Sequence, residues 1–92
     1  MQKLDETAVN SKLDDIPDWA LVNDEIQRTF GFADFVTSIE FVNRIATAAE
    51  AAQHHPDILI RYNKVTLTLS THDAGGITQN DFDLAKAADS FV

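Results

Sequence analysis

The spacing of hydrophobic positions alternates along the chain between a helical period near 3.6 and a strand period of two. Over the first fifteen residues Leu4, Ala8, Val9 and Leu13 line one stripe of a short helix. Asp5 and Glu6 near its start suit the helix dipole, whereas Asp14 and Asp15 oppose it at the other end, which is expected to fray. Pro17 blocks continuation. Residues 19–22 and 25–30 read as two strands around the turn pair Asn23-Asp24. Ile26 and Phe30 share a face by period two, and Arg28 falls on it between them. Either its stem lies along the apolar surface with the charge at the edge, or the register differs. Gly31 breaks the strand. A long helix is expected from residue 34 or 35 to about Gln53, opened by Asp34. Its stripe is Phe35, Ile39, Val42, Ala46 and Ala49, widened by Phe41, Ile45, Ala48 and Ala52. Pro56 disfavours helical backbone at His55, so the helix should stop near the two histidines.

Residues 57–62 and 65–70 form a second hairpin, with Asn63 supplying the positive φ of a tight turn. Val65, Leu67 and Leu69 face one side; Thr66, Thr68, Ser70 and His72 face the other. Asp73-Ala74-Gly75-Gly76 is a loop. Thr78 then caps a last helix, Asp81 follows three residues later as a variant capping box, and Ile77 and Phe82 occupy the two staple positions. The order helix, strand, strand, helix, strand, strand, helix predicts an α+β fold. It would have a four-stranded antiparallel sheet with three helices packed on one face.

Ninety-two residues make one domain, spanning 1–92. A chain of this size buries roughly 60–65% of its unfolded surface, so its core is modest and association with a second copy would help. The net charge of −8 argues against direct nucleic-acid binding. The absence of cysteine removes disulfides, thiolate nucleophiles and Cys-based zinc sites. No basic start leads into an apolar stretch and no run approaches membrane-spanning length, which sets the expectation of a soluble cytoplasmic protein without membrane contact.

All three histidines fall in one stretch. His54 and His55 sit at the end of the long helix, and His72 lies beside the glycine loop. A helix C-terminus favours imidazolium without any catalytic purpose. A third histidine that the hairpin carries back to the same helix end points instead to acid–base chemistry, because imidazole titrates near neutrality. Zinc is the competing use of three histidines. Adjacent histidines diverge from the backbone, however, and zinc ligands on a helix usually stand three or four apart. Asp81 is explained as a cap and is equally placed to orient an imidazole. Glu50, one turn before His54, is placed to hydrogen-bond that ring or to form a solvated face. Gly75-Gly76 lacks the Lys-Ser/Thr of a phosphate loop. Those glycines are expected to supply positive φ and to let the backbone approach a flat ligand. Trp19 reads as core.

The stretch resembles the pterin-4a-carbinolamine dehydratase family. The matching pieces are Glu50 ahead of His54-His55-Pro56, then Tyr62-Asn63-Lys64-Val65, then Thr71-His72-Asp73 with Gly75-Gly76-Ile77-Thr78, and finally Asp81. The resemblance reaches back to Trp19 and to Phe30-Gly31-Phe32-Ala33-Asp34-Phe35, covering about residues 17–91. Ile58 departs from it, standing where many members have an aromatic. The resemblance implies dehydration of a 4a-hydroxytetrahydropterin to the quinonoid dihydropterin, with no metal and no cofactor. It implies catalysis by His54, His55, His72 and Asp81. Contacts to the pterin would come from Glu50, His54, His55, Pro56, Thr71, His72, Asp73 and Ala74, some of them from backbone. Within the trio, His55 and His72 are expected to move the protons and His54 to orient or assist. The resemblance also points to a homodimer or dimer of dimers. Its alternative role is a protein-binding module, the dimerisation cofactor of a transcription factor.

Overall fold

The computed structural model describes residues 2–92; Met1 lies outside them. The elements are α1 (Glu6–Leu13), β1 (Ala20–Val22), β2 (Glu25–Gly31), α2 (Phe35–Ala52), β3 (Asp57–Arg61), β4 (Lys64–Leu69) and α3 (Gln79–Asp89). A single 3-10 turn at His72–Ala74 precedes α3. The sheet is antiparallel throughout, in the order β1-β2-β4-β3. The α+β architecture therefore matches the order read from the sequence, with boundaries moved by a residue or so except at the start of α1, which leaves Leu4 outside the helix.

Period-two patterning decides which side of the sheet the helices cover. Ile26, Phe30, Val65, Leu67 and Leu69 are buried, and they join Val9 of α1, Phe41, Ile45 and Ala49 of α2, and Phe82, Leu84, Ala85 and Ala88 of α3 in one core. The opposite face carries cross-strand polar pairs. Thr29 meets Thr66 at 2.8 Å and Gln27 Nε2 donates to Thr68 Oγ1 at 3.0 Å. Arg28 keeps the expected register and belongs to the covered face. Its guanidinium lies 4.2 Å from the Phe30 ring centroid and 2.7 Å from Asp89 Oδ1. Trp19 Nε1 donates to the same oxygen at 2.9 Å. A cation over an aromatic face, closed by a carboxylate from the last turn of α3, lets an arginine stand at the rim of an apolar core.

The connections show where residue chemistry and residue identity part. Leu4 precedes α1 rather than joining it, and its N–H donates to the Ile77 carbonyl at 2.8 Å. Asp5 caps α1 by accepting from Ala8 N–H at 2.8 Å. Asp34 caps α2 in the same way, accepting from Thr37 N–H at 2.8 Å. Hydrogen bonds from Thr37, its backbone first and then its side chain, hold the Asp34 carboxyl below its usual value. In the second hairpin the left-handed residue is Tyr62, at φ 52°, and not Asn63. Asn63 bridges instead: its Nδ2 donates to the Phe32 carbonyl at 3.1 Å and its own carbonyl accepts from Phe32 N–H at 2.8 Å. Those two bonds lock the turn onto the end of β2. Only Gly75 of the glycine pair is left-handed, at φ 77°. Gly76 has no such need: a Cβ there would stand 2.7 Å from Cε of Lys3, the far end of a flexible side chain that can move aside.

Candidate active site

The site begins where α2 ends. Gln53 adopts the left-handed conformation, φ 52° and ψ 43°, and its N–H returns to the carbonyls of Ala49 and Glu50. His54 N–H also donates to the Ala49 carbonyl, at 3.1 Å. This closure, one residue before the histidines, stops the helix, with Pro56 as a second barrier. It also splits the histidine pair. His54 turns inward and is buried, whereas His55 stays in solvent.

Under His54 lies Asp81, fully buried at the first turn of α3. Its Oδ1 is 2.5 Å from His54 Nε2. Its Oδ2 accepts from Thr71 Oγ1 at 2.9 Å and from the Thr78 backbone N–H at 2.9 Å. Thr71 and Thr78 bring their hydroxyls within 2.8 Å of each other. Asp81 thus caps α3 and holds an imidazole with the same side chain. Its position near the helix N-terminus adds the favourable end of the dipole. Among the described residues His54 Nδ1 has no hydrogen-bond partner, and no buried side-chain nitrogen or oxygen is left unpaired. Nδ1 therefore keeps some contact with solvent, and His54 lines the cleft described next.

That cleft holds about 250 Å³ between Gln53, His54 and His55 on one side and Ser70, Thr71, His72 and Asp73 on the other. All three histidines line it. His72 reaches it from the first residue of the 3-10 turn, because β4 ends at Leu69 and the strand alternation does not extend that far. Backbone bonds between Thr71 and Gly76, at 2.8 and 3.3 Å, pinch the loop so that the turn faces the helix end. A second depression of about 420 Å³ lies on the other side of Ser70, Thr71 and His72, walled by Asn23, Asp24, Glu25, Gly75 and Gly76.

Four of the expected site residues lie off the cleft lining. Asp81 stands below it, behind His54. Glu50 corrects the pairing read from helical spacing. It bonds His55, with Oε2 2.6 Å from Nε2, because the left-handed turn at Gln53 carries His54 away. That pair is exposed. Pro56 and Ala74 are half-buried beside the cleft rather than lining it. The hydroxyl of Thr71, which lines the cleft, is engaged by Asp81 and Thr78. Sequence reading missed Thr78 as part of the site, although its capping role was plain; what ties it in is its contact with Thr71. Gln53 was missed as well, since glutamine carries no signal for a left-handed backbone. Among the described residues no group of three His, Cys, Asp or Glu side chains is placed to hold a metal ion. His54 and His55 diverge, and each is taken by its own carboxylate.

The family described as Pterin 4 alpha carbinolamine dehydratase matches residues 2–91. The chain belongs to this family. A relative from Cyanothece sp., provisionally named as a pterin-4-alpha-carbinolamine dehydratase, is 56% identical over 85 residues, covering 92% of this chain and 88% of the relative. One from Chloroflexus aurantiacus, named in the same terms, is 53% identical over 92 residues, covering 100% of this chain and 99% of its own. Among solved structures, a transcriptional coactivator/pterin dehydratase from Brucella melitensis superposes with a TM-score of 0.94 at 34% identity over 97% of each chain. A pterin dehydratase-like RuBisCO assembly factor of the alpha-carboxysome has a TM-score of 0.64 at 19% identity, over 78% of this chain and 83% of that one. It shares the fold alone. For this dehydratase family member, no helix among the described residues is long and apolar enough to cross a membrane.

Proposed function

We propose that the protein removes water from 4a-hydroxytetrahydropterins. The observation that carries the reading is the buried His54–Asp81 pair under a cleft lined by three histidines, in a chain of this family. A volume of about 250 Å³ lies below the roughly 300–1,000 Å³ of drug-sized pockets, which suits one flat bicyclic ring better than an extended ligand.

Dehydration breaks the C4a–O bond and forms a C4a=N5 double bond. The hydroxyl leaves as water after receiving a proton, and N5 gives a proton up. Two positioned groups of opposite protonation are needed, and imidazoles serve both near neutral pH. The base role suits His54. Asp81 accepts the Nε2 proton and leaves Nδ1 as the free acceptor in the cleft, and the carboxylate stabilises the imidazolium that forms. His55, steadied by Glu50, and His72 remain for the leaving hydroxyl. This division differs from the one expected from sequence, where His54 had the supporting part. Purified protein should form the quinonoid dihydropterin at an undiminished rate after exhaustive chelation. Activity lost on chelation and restored by zinc would contradict the metal-free scheme.

The Brucella melitensis relative is described as both transcriptional coactivator and pterin dehydratase, which favours a second reading of this chain as a protein-binding module. A binding role survives loss of the imidazole at residue 55, and the dehydratase role does not. Assembly as a homodimer or dimer of dimers belongs to either reading. Its support is the free edge strand β3, whose five residues are all exposed, Ile58, Leu59 and Ile60 among them. Sedimentation equilibrium at micromolar concentration should give a mass above that of one chain; a monomer alone would contradict it.

A further inference from the structure

Two threonines have no part in the proton transfers above, yet both are built into the floor of the site. Thr78 is fully buried, and Thr71 lies between it and Asp81. Thr71 Oγ1 stands 2.9 Å from Asp81 Oδ2 and 2.8 Å from Thr78 Oγ1. Each hydroxyl has one proton. Asp81 has no proton to give when its oxygens accept from His54 Nε2, Thr71 and the Thr78 N–H, so the Thr71 proton must go to Oδ2. The Thr78 proton then goes to Thr71. The order of donation is thereby fixed: Thr78 to Thr71, Thr71 to Asp81, with His54 donating to the other carboxylate oxygen.

We propose that Thr71 and Thr78 form a positioning pair, a one-way chain of hydroxyls that holds the Asp81 carboxylate against His54 and keeps the His54 proton on Nε2. A donor on Oδ2 fixes the rotation of the carboxylate, which sets where Oδ1 stands. Chained hydroxyls polarise one another, so Thr71 donates more strongly with Thr78 behind it. Thr71 then acts on the reaction through Asp81 and gives no hydroxyl proton to a substrate. A threonine that also caps a helix thus gains a second reason for its identity.

The inference rests on the proposed dehydration only for its rate measurements. Thr71→Val is the first test, since it keeps the β-branched shape, removes the hydroxyl and leaves the α3 cap alone. In the folded variant kcat should fall roughly ten- to hundredfold, the scale of one hydrogen bond to a charged group, with KM changed less than about twofold because uniform binding is untouched. Thr71→Ser should restore the rate. The second readout needs no substrate. In wild-type protein the Hε2 proton of His54 should give a downfield resonance protected from solvent exchange. Thr71→Val should broaden or shift it, Thr71→Ser should keep it, and Thr78→Val should repeat the loss if it folds. A folded Thr71→Val with an unchanged His54 resonance overturns the proposal. So does a rise in KM at constant kcat, which would place the hydroxyl on the substrate. Absence of dehydration by the wild type would sink the proposed reaction and leave the positioning pair to be judged by the resonance alone.

Discussion

Replacing His54 by alanine is expected to slow dehydration by about 10²–10⁴-fold, the range for losing a positioned proton-transfer group. The loss should also be felt in stability, unlike that of the other two histidines. His54 is buried and bonded to a buried carboxylate, so its removal leaves Asp81 Oδ1 without a partner. An orphaned buried group costs about 1–3 kcal/mol. His55→Ala and His72→Ala should lower the rate within the same range while changing stability by no more than about 0.5 kcal/mol, since both side chains are exposed. Steady-state rates paired with urea unfolding separate the three. Wild-type stability in His54→Ala would show that the buried bond contributes nothing to the fold. Wild-type rates in folded His55→Ala and His72→Ala would leave both without a catalytic part.

Asp81→Ala is the second large effect. It removes the acceptor for three donors at once: His54 Nε2, Thr71 Oγ1 and the Thr78 N–H. Loss of the cap bond from the Thr78 N–H costs about 0.5–2 kcal/mol, and the two other stranded donors, His54 Nε2 and Thr71 Oγ1, add a further 1–3 kcal/mol or so. A total near 3 kcal/mol lowers the melting temperature on the order of 15 °C for a domain of this size. Asp81→Asn separates fold from chemistry. Its one carbonyl oxygen can still accept from Thr71 and Thr78, which turns the amide NH2 toward His54. An NH2 facing Nε2 demands an unprotonated Nε2 and moves the ring proton to Nδ1, the atom assigned to accept from substrate. The variant should therefore fold and still lose about 10²–10⁴-fold in rate, as expected for an imidazole held in the wrong tautomer. Full rate in a normally folded Asp81→Asn would reduce Asp81 to a cap.

Local chemistry made most of the fold legible. Alternating Val65, Leu67 and Leu69 against Thr66 and Thr68 fixed both a strand and its buried face. Thr78 and Asp81 marked the start of α3 from three residues apart, and Asn23-Asp24 marked the first turn. Where the reading slipped, a residue of weak propensity was governed by its tertiary surroundings. Tyr62 takes the strained turn position because Asn63 is engaged by Phe32. Gln53 takes the left-handed closure of α2, with no sequence signal for it. That single backbone turn explains the exchanged carboxylate partners. Helical spacing placed Glu50 beneath His54, but the reversal sends His54 to Asp81, 27 residues on, and leaves Glu50 to His55. The gathering of His54, His55 and His72 was readable because one hairpin joins them. The hydroxyl path through Thr71 and Thr78 was not, since it depends on how the loop before α3 is pinched.

The most direct test of the central claim is the rate at which purified protein converts a 4a-hydroxytetrahydropterin to the quinonoid dihydropterin, followed by absorbance in stopped flow beside a folded His54→Ala variant. The His54–Asp81 cleft predicts conversion far above the buffer rate for the wild type and a rate lower by about 10²–10⁴-fold for the variant. Equal conversion by the two folded proteins, or none above buffer by the wild type, would contradict it.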